Sequence, residues 1–270
     1  AKWYRPDLQG IMIVGDINVD EMEAKLKKVF ADVKAPVHPA NRIYYPVADN
    51  QEPLIFIGTD KEIETPSISF FFKSEAFPDS LKNTINYYGI QYMLSMGISM
   101  LNSRLAEIRQ QADPPFTGAS AGYGDFFVAK TKSAFGIDAS SKIGGIELAM
   151  KTILEEAERA RRFGFTETEY DRARANYLQR VESAYNEREK MKNDTYVNEY
   201  ISNFLDNEPM PGIEYEYAMM NKLAPNIPVT AINQVMQQLI TDNNQVVLLA
   251  GPEKEGLKYP TKEEITALLK

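Results

Sequence analysis

At 270 residues the chain is long enough to bury a sizeable core in one large or two small domains. A net charge of -8, with 25% charged and 44% hydrophobic residues, argues against a general nucleic-acid surface, which needs clustered Lys and Arg. The absence of cysteine excludes disulfides, thiolate metal sites and a Cys nucleophile, and no apolar run approaches the roughly 20 residues that span a bilayer.

The chain opens on Lys2-Trp3-Tyr4-Arg5-Pro6-Asp7-Leu8 and then an apolar run, Gly10-Ile11-Met12-Ile13-Val14-Gly15, which predicts a strand over 10–17. An aromatic-proline turn feeding directly into a packed element, with no initiator Met, is the pattern expected of a piece of a larger protein. Met22, Leu26, Val29 and Phe30 recur at helical spacing and predict a helix over 20–33 with Asp20 as N-cap. Pro36, Pro39, Pro46 and Pro53 mark 35–53 as a connector. Strands follow at 54–58 and 67–73, then a helix over about 80–111 that is apolar almost all round its middle and therefore expected to be buried.

Asp113-Pro114-Pro115 stops that helix. Segments 116–123, 125–130 and 134–140 predict an antiparallel meander of three strands. Helices are then expected at 142–163 and 167–190, the second opened by a Thr166/Glu169 capping box and burying Tyr170, Ala173, Tyr177, Val181 and Tyr185. Three further helices at 192–206, 213–223 and 230–240 precede a last strand at 245–250. Such an order indicates an α+β fold, with helices packed on one face of a largely antiparallel sheet.

Little self-contained chemistry survives inspection. Gly118-Ala119-Ser120-Ala121-Gly122 matches the G-x-S-x-G nucleophile elbow, but the elbow requires a strand-to-helix turn and a histidine within reach. Here the following residues read as another strand, and the only histidine, His38, lies far upstream between Val37 and Pro39. A zinc site normally takes three or four protein ligands, which one His and no Cys cannot supply without carboxylates. No phosphate-binding loop is present. The methionines of 93–100 are expected in the core, and Tyr215 and Tyr217 are read either as partner contacts or as one buried face.

Four segments, in order, carry a resemblance. Trp3-Tyr4-Arg5-Pro6-Asp7-Leu8 with Ile13-Val14-Gly15-Asp16, Leu101-Asn102-Ser103-Arg104-Leu105 with Ile108-Arg109, Gly164-Phe165-Thr166-Glu167-Thr168-Glu169-Tyr170, and Val229-Thr230-Ala231-Ile232 with Val246 to Pro252 are similar to segments of pitrilysin/insulinase-type zinc peptidases. The second of these resembles the family's L-x-S-R-L and the third its G-x-T-x-x-E. Those enzymes form a two-halved clamshell of paired α+β domains, with zinc bound by an H-x-x-E-H motif and a downstream Glu. This sequence contains no H-x-x-E-H.

The resemblance therefore implies residues 1–50 as the tail of a catalytic-type domain with its connector, 51–252 as the companion domain that follows, and 253–270 as a C-terminal linker or helix. It implies no cofactor in this chain and zinc in the parent protein. The implied partners are neighbouring domains of the same polypeptide and a peptide substrate of the parent, with no nucleic acid and no membrane span. A homodimer of the isolated piece is also implied if excision exposes an apolar face. In the later half of these enzymes an Arg and a Tyr hold the substrate; Arg109 matches the first, but Phe116 stands where the Tyr would be. Arg109 is thus the one candidate substrate-binding residue. The alternatives are a domain of a catalytically inactive structural or substrate-presenting subunit of the same family, and an unrelated α+β ligand-binding module.

Overall fold

A computed structural model describes residues 3–269, so residues 1, 2 and 270 of the expected outer segments lie outside the described residues. A 3-10 turn at Pro6–Leu8 leads to α1 (Val19–Val29). Its N-cap is Asn18, whose Oδ1 accepts the Glu21 amide at 3.2 Å, so the helix starts ahead of the expected Asp20. Between them, residues 10–17 form no strand. They keep a strand's alternation, with Ile11 and Ile13 exposed and Met12 and Val14 half-buried, but no ladder forms with any described residue.

β1 (Leu54–Asp60) and β2 (Ser67–Glu75) follow the connector. α2 (Ile85–Arg109) begins five residues later than the predicted 80, because Asp79–Leu81 makes a separate 3-10 turn and Thr84 Oγ1 caps the helix through the Tyr87 amide. Where three meander strands were expected there are two, β3 (Gly118–Asp125) and β4 (Lys132–Ser140). The middle segment is instead their turn: the Phe126 amide donates to Lys132 O at 2.9 Å and Phe127 takes a left-handed φ of +54°. A bulky residue in that region is uncommon and ends regular pairing.

The remaining elements are α3 (Ile146–Phe163), α4 (Glu167–Asn186), α5 (Asn193–Asp206), α6 (Ile213–Leu223), α7 (Val229–Leu239), β5 (Gln245–Pro252) and α8 (Lys262–Leu268). α3 starts after a turn through Gly144, and α4 stops at Asn186 before a 3-10 turn at Arg188–Lys190. The predicted capping box is present, with both Thr166 and Glu169 side chains engaged.

The five strands run in the order β1-β5-β2-β4-β3. Only the β1–β5 pair is parallel, so the sheet is largely antiparallel, as the α+β reading requires. Ile68, Phe70 and Phe72 of β2, Phe135 and Ile137 of β4, and Val247 and Leu249 of β5 point to one face and are buried. They meet Tyr92, Met96, Met100 and Leu101 of α2, Met150 and Ile153 of α3, and Ile232 and Met236 of α7. The methionines of α2 that face this cluster are therefore core residues. α2 and α7 approach closely because Gly97 has no side chain; a Cβ there would lie 2.5 Å from Met236 Sδ.

Candidate functional site

The residues singled out from the sequence do not converge. Arg109 ends α2, exposed, its side chain making no hydrogen bond or ion pair to a described residue, whereas Phe116 is 1% exposed and part of the core. Ser120 sits mid-strand in β3 rather than on a turn into a helix, and His38 is exposed in the connector, so the elbow is absent. Among the described residues no group of three or more His, Asp or Glu could hold a metal ion.

What the fold does offer is a sheet with one uncovered face. Side chains alternate across a strand, and the face opposite the helices is apolar over β1 and β5, where Leu54 pairs with Val246 and Phe56 with Leu248, and presents mostly short residues over β2, β4 and β3. Ser67, Ser140 and Gly118 form one row, Ser69, Asp138 and Ser120 the next, and Phe71, Gly136 and Gly122 a third. A Cβ built at Gly118 or Gly122 would meet nothing within 4 Å, so the space above β3 is open.

A strap closes one end of this face. Lys73 and Lys132, only 3% and 5% exposed, reach from the bare face to the connector: Lys73 Nζ donates to Ala48 O at 2.6 Å, and Lys132 Nζ to Asp49 Oδ1 at 2.8 Å and to Glu75. Burial pushes the Lys73 ammonium below its ordinary value, while the hydrogen bonds to Asp49 and Glu75 raise that of Lys132. Asn50 adds a two-way link to the start of β5, its amide donating to Asn244 Oδ1 at 2.9 Å and its Nδ2 to Gln245 O at 3.0 Å, while the Asn244 amide donates back to Asn50 O at 2.8 Å. The Pro-rich connector is thus fixed to the sheet at its C-terminal end.

A second junction lies along α5. A Cβ at Gly10 would be 3.2 Å from the Phe204 ring, and one at Gly15 would be 3.8 Å from Asn193 Nδ2. Extended chain from 10 to 15 covers roughly 16 Å, and the helical rise from Asn193 to Phe204 is also roughly 16 Å. Residues 10–15 therefore lie extended and antiparallel along α5. The helix buries no residue fully and leaves Tyr200, Ile201, Phe204 and Leu205 exposed. Its C-terminal end is tied to the sheet domain: Lys130 bridges Asp125 and Asp206, and Tyr87 Oη donates to Glu208 at 2.7 Å.

Residues 1–177 match the family described as "Peptidase M16 inactive domain". The chain belongs to that family. It is 27% identical over 253 residues to "Zinc protease PQQL-like" of Arabidopsis thaliana, a match covering 93% of this chain and 23% of the plant protein. It is 22% identical over 239 residues to "Probable zinc protease PqqL" of Escherichia coli K12, covering 88% of this chain and 25% of that protein. The chain thus spans about a quarter of the length of these relatives. Its fold is similar to the crystal structure of the first half of the periplasmic protease PqqL from Escherichia coli, with a TM-score of 0.79, 20% identity, and coverage of 95% of this chain and 54% of that one.

Within this M16 domain the motif residues prove to be keystones. Arg104 of the Leu101–Leu105 motif grips Glu169 of the Gly164–Tyr170 motif, Nε to Oε1 at 2.6 Å and Nη2 to Oε2 at 3.0 Å. Its Nη2 also donates to Gly164 O at 3.0 Å, and its guanidinium stacks 4.5 Å from the Phe165 ring centre. Burial pushes the Glu169 carboxyl up, but the hydrogen bonds from Arg104 and Thr166 outweigh it and hold the group at about 2. Gly164 must be glycine, because its φ is +68° and a Cβ would strike the Asn233 side chain at 2.4 Å. Asn102 works differently. Its Oδ1 accepts the Ala121 amide at 2.7 Å and its Nδ2 donates to Ala121 O at 3.0 Å, so one side-chain amide occupies the outer edge of β3 at mid-strand. Sequence reasoning missed these roles because each depends on a partner many residues away.

Proposed function

We propose that this chain is the non-catalytic companion domain of a zinc metalloendopeptidase, placed second in the first half of its parent. In this reading residues 1–50 are the tail and connector of the zinc-bearing domain, 51–252 the companion domain, and 253–270 a C-terminal linker or helix. The chain braces the zinc domain and supplies part of the wall of a chamber that encloses peptides.

The observation that carries the proposal is residues 10–15. They have a strand's alternation and lie on α5, yet their backbone makes no ladder and Ile11 and Ile13 face outward, 55% and 41% exposed. A strand half-covered by this domain is suited to complete a sheet of the domain before it, with α5 as the brace. The bare sheet face supports the chamber role: the short side chains and glycines of β3 and β4 leave room for an extended peptide. Arg109, exposed at the end of α2, is a separate candidate substrate contact carried only by the family resemblance. Zinc belongs to the neighbouring domain in this proposal, held by its two histidines and distal Glu, with the Glu inside the motif activating water.

The test is zinc content and quenched-fluorescent peptide cleavage, measured on the full-length polypeptide and on this chain. Stoichiometric zinc and chelator-sensitive cleavage are expected in the former, and neither in the latter. A zinc-free, silent full-length protein would sink the peptidase assignment, and zinc bound tightly by this chain alone would sink the companion-domain assignment.

A further inference from the structure

The bare sheet face carries charge unevenly. Its charged positions are Asp60, Lys73, Glu75, Lys132 and Asp138. Lys73, Glu75 and Lys132 lie at the strap, where the two lysines are spent on Ala48 O, Asp49 and Glu75. The two charges left on the open part are both acidic. Asp60 sits at the end of β1 and is exposed; Asp138 sits near the centre, half-buried, with Ser69 directly opposite on β2 and Ser120 directly opposite on β3.

The Asp138 carboxylate makes no hydrogen bond or ion pair with a described side chain. A partly desolvated carboxylate is costly unless a cation or donors meet it, and here the only groups directly beside it in register are two hydroxyls and open space. We propose that Asp138 is a specificity-determining residue that receives a cationic side chain, lysine or arginine, of an extended peptide lying across this face. The inference rests on the chamber reading above. Charge complementarity selects the occupant: the ammonium or guanidinium would meet the carboxylate directly, and the flanking Ser69 and Ser120 hydroxyls can accept its remaining hydrogens.

The experiment uses the full-length polypeptide with a photo-cross-linking side chain at position 118, one row from Asp138, where a Cβ meets nothing within 4 Å. Its probes are an extended peptide with one central lysine and the same peptide with norleucine in its place. Both are expected to cross-link, and the lysine peptide to bind about fivefold tighter, the size of a partly exposed ion pair. Asp138→Asn, close to isosteric, is expected to abolish that difference while leaving norleucine-peptide binding unchanged. Asp138→Glu is expected to retain most of it, which guards against a folding artefact, and Asp60→Asn to leave it intact. A lysine preference that survives Asp138→Asn, moves with Asp60→Asn, or never existed overturns this inference while cross-linking still upholds the chamber. Failure of both peptides to cross-link overturns the chamber reading itself and points to a neighbouring domain as the cover of this face.

Discussion

Arg104 and Glu169 carry opposite charges in a nearly closed space, their side chains 10% and 18% exposed, and each depends on the other for solvation. Removing one partner leaves the other stranded, so Arg104→Met is expected to cost about 3 kcal/mol, whereas the double variant Arg104→Met/Glu169→Gln should recover part of that loss. Urea titrations of the four proteins of this cycle measure both terms. The pair also sets a pH response. The folded Glu169 group lies at about 2 against an ordinary 4.5, so its ionised form stabilises the fold at neutral pH. That contribution, about 3 kcal/mol in order of magnitude, is complete above about 4.5 and is lost as the pH falls toward 2. Glu169→Gln should flatten this part of the stability profile; an unchanged acid limb would show that other carboxylates control it. Both residues stood out in the sequence only as members of motifs. Glu169 could be read there as half of the capping box, but its pairing with Arg104 could not, because the contact joins α2 to the start of α4, and sequence periodicity reports local faces and not distant pairs. Asp138 was invisible for the same reason: its position beside Ser69 and Ser120 exists only once strand register is fixed.

Among the elements, those with strong internal periodicity were legible and those that need a partner were not. The capping box announced α4, and the apolar run of α2 gave both its helix and its burial. Residues 10–17 show the limit. Their alternation encodes a strand, but a strand's hydrogen bonds are supplied from outside it, and α5 offers side chains and no open backbone. The segment 125–130 fails for the opposite reason: Phe126, Phe127 and Val128 look like strand residues but form the turn, with Phe127 tilted against Phe71 at a ring distance of 5.3 Å and Phe126 meeting it edge-on at 5.9 Å. The position of residues 10–15 on α5 yields a contrast between two contexts. Ile13 is exposed in this chain, so Ile13→Lys should change its stability by less than about 0.5 kcal/mol. In the full-length polypeptide the same residue is proposed to be buried against the neighbouring domain, and the substitution should destabilise that protein by about 2 to 3 kcal/mol. Equal and small effects in both would show that residues 10–17 join no neighbouring sheet.

At the scale of the whole molecule, helices cover one side of the sheet, the strap holds one end of the other, and an extended segment without a ladder to any described residue runs along α5. Each of these surfaces has a different expected fate once the chain is separated from its neighbours. Over β3 and β4 the bare face is lined mainly by serine and glycine and can stay wet, whereas Leu54 and Phe56 leave an apolar margin on β1. The extended segment at 10–17 cannot be left so easily, because its N–H and C=O groups, unpaired with any described backbone, and its outward isoleucines form an edge that another edge can pair with. Two copies of the chain meeting along this segment would satisfy both edges by a two-fold, self-complementary contact. The isolated chain is therefore expected to show a concentration-dependent monomer–dimer equilibrium in sedimentation velocity, while the full-length polypeptide, with the edge occupied, remains free of this association. Ile13→Lys places a charge on the edge and should return the isolated chain to monomer without lowering its melting temperature, which separates loss of pairing from loss of fold. A dimer that persists in this variant would assign the association to another exposed apolar surface, such as Leu54 and Phe56 on β1. Equal dimerisation of the full-length polypeptide would mean that the edge is not covered in the parent, and would remove the strand-donating role from residues 10–17.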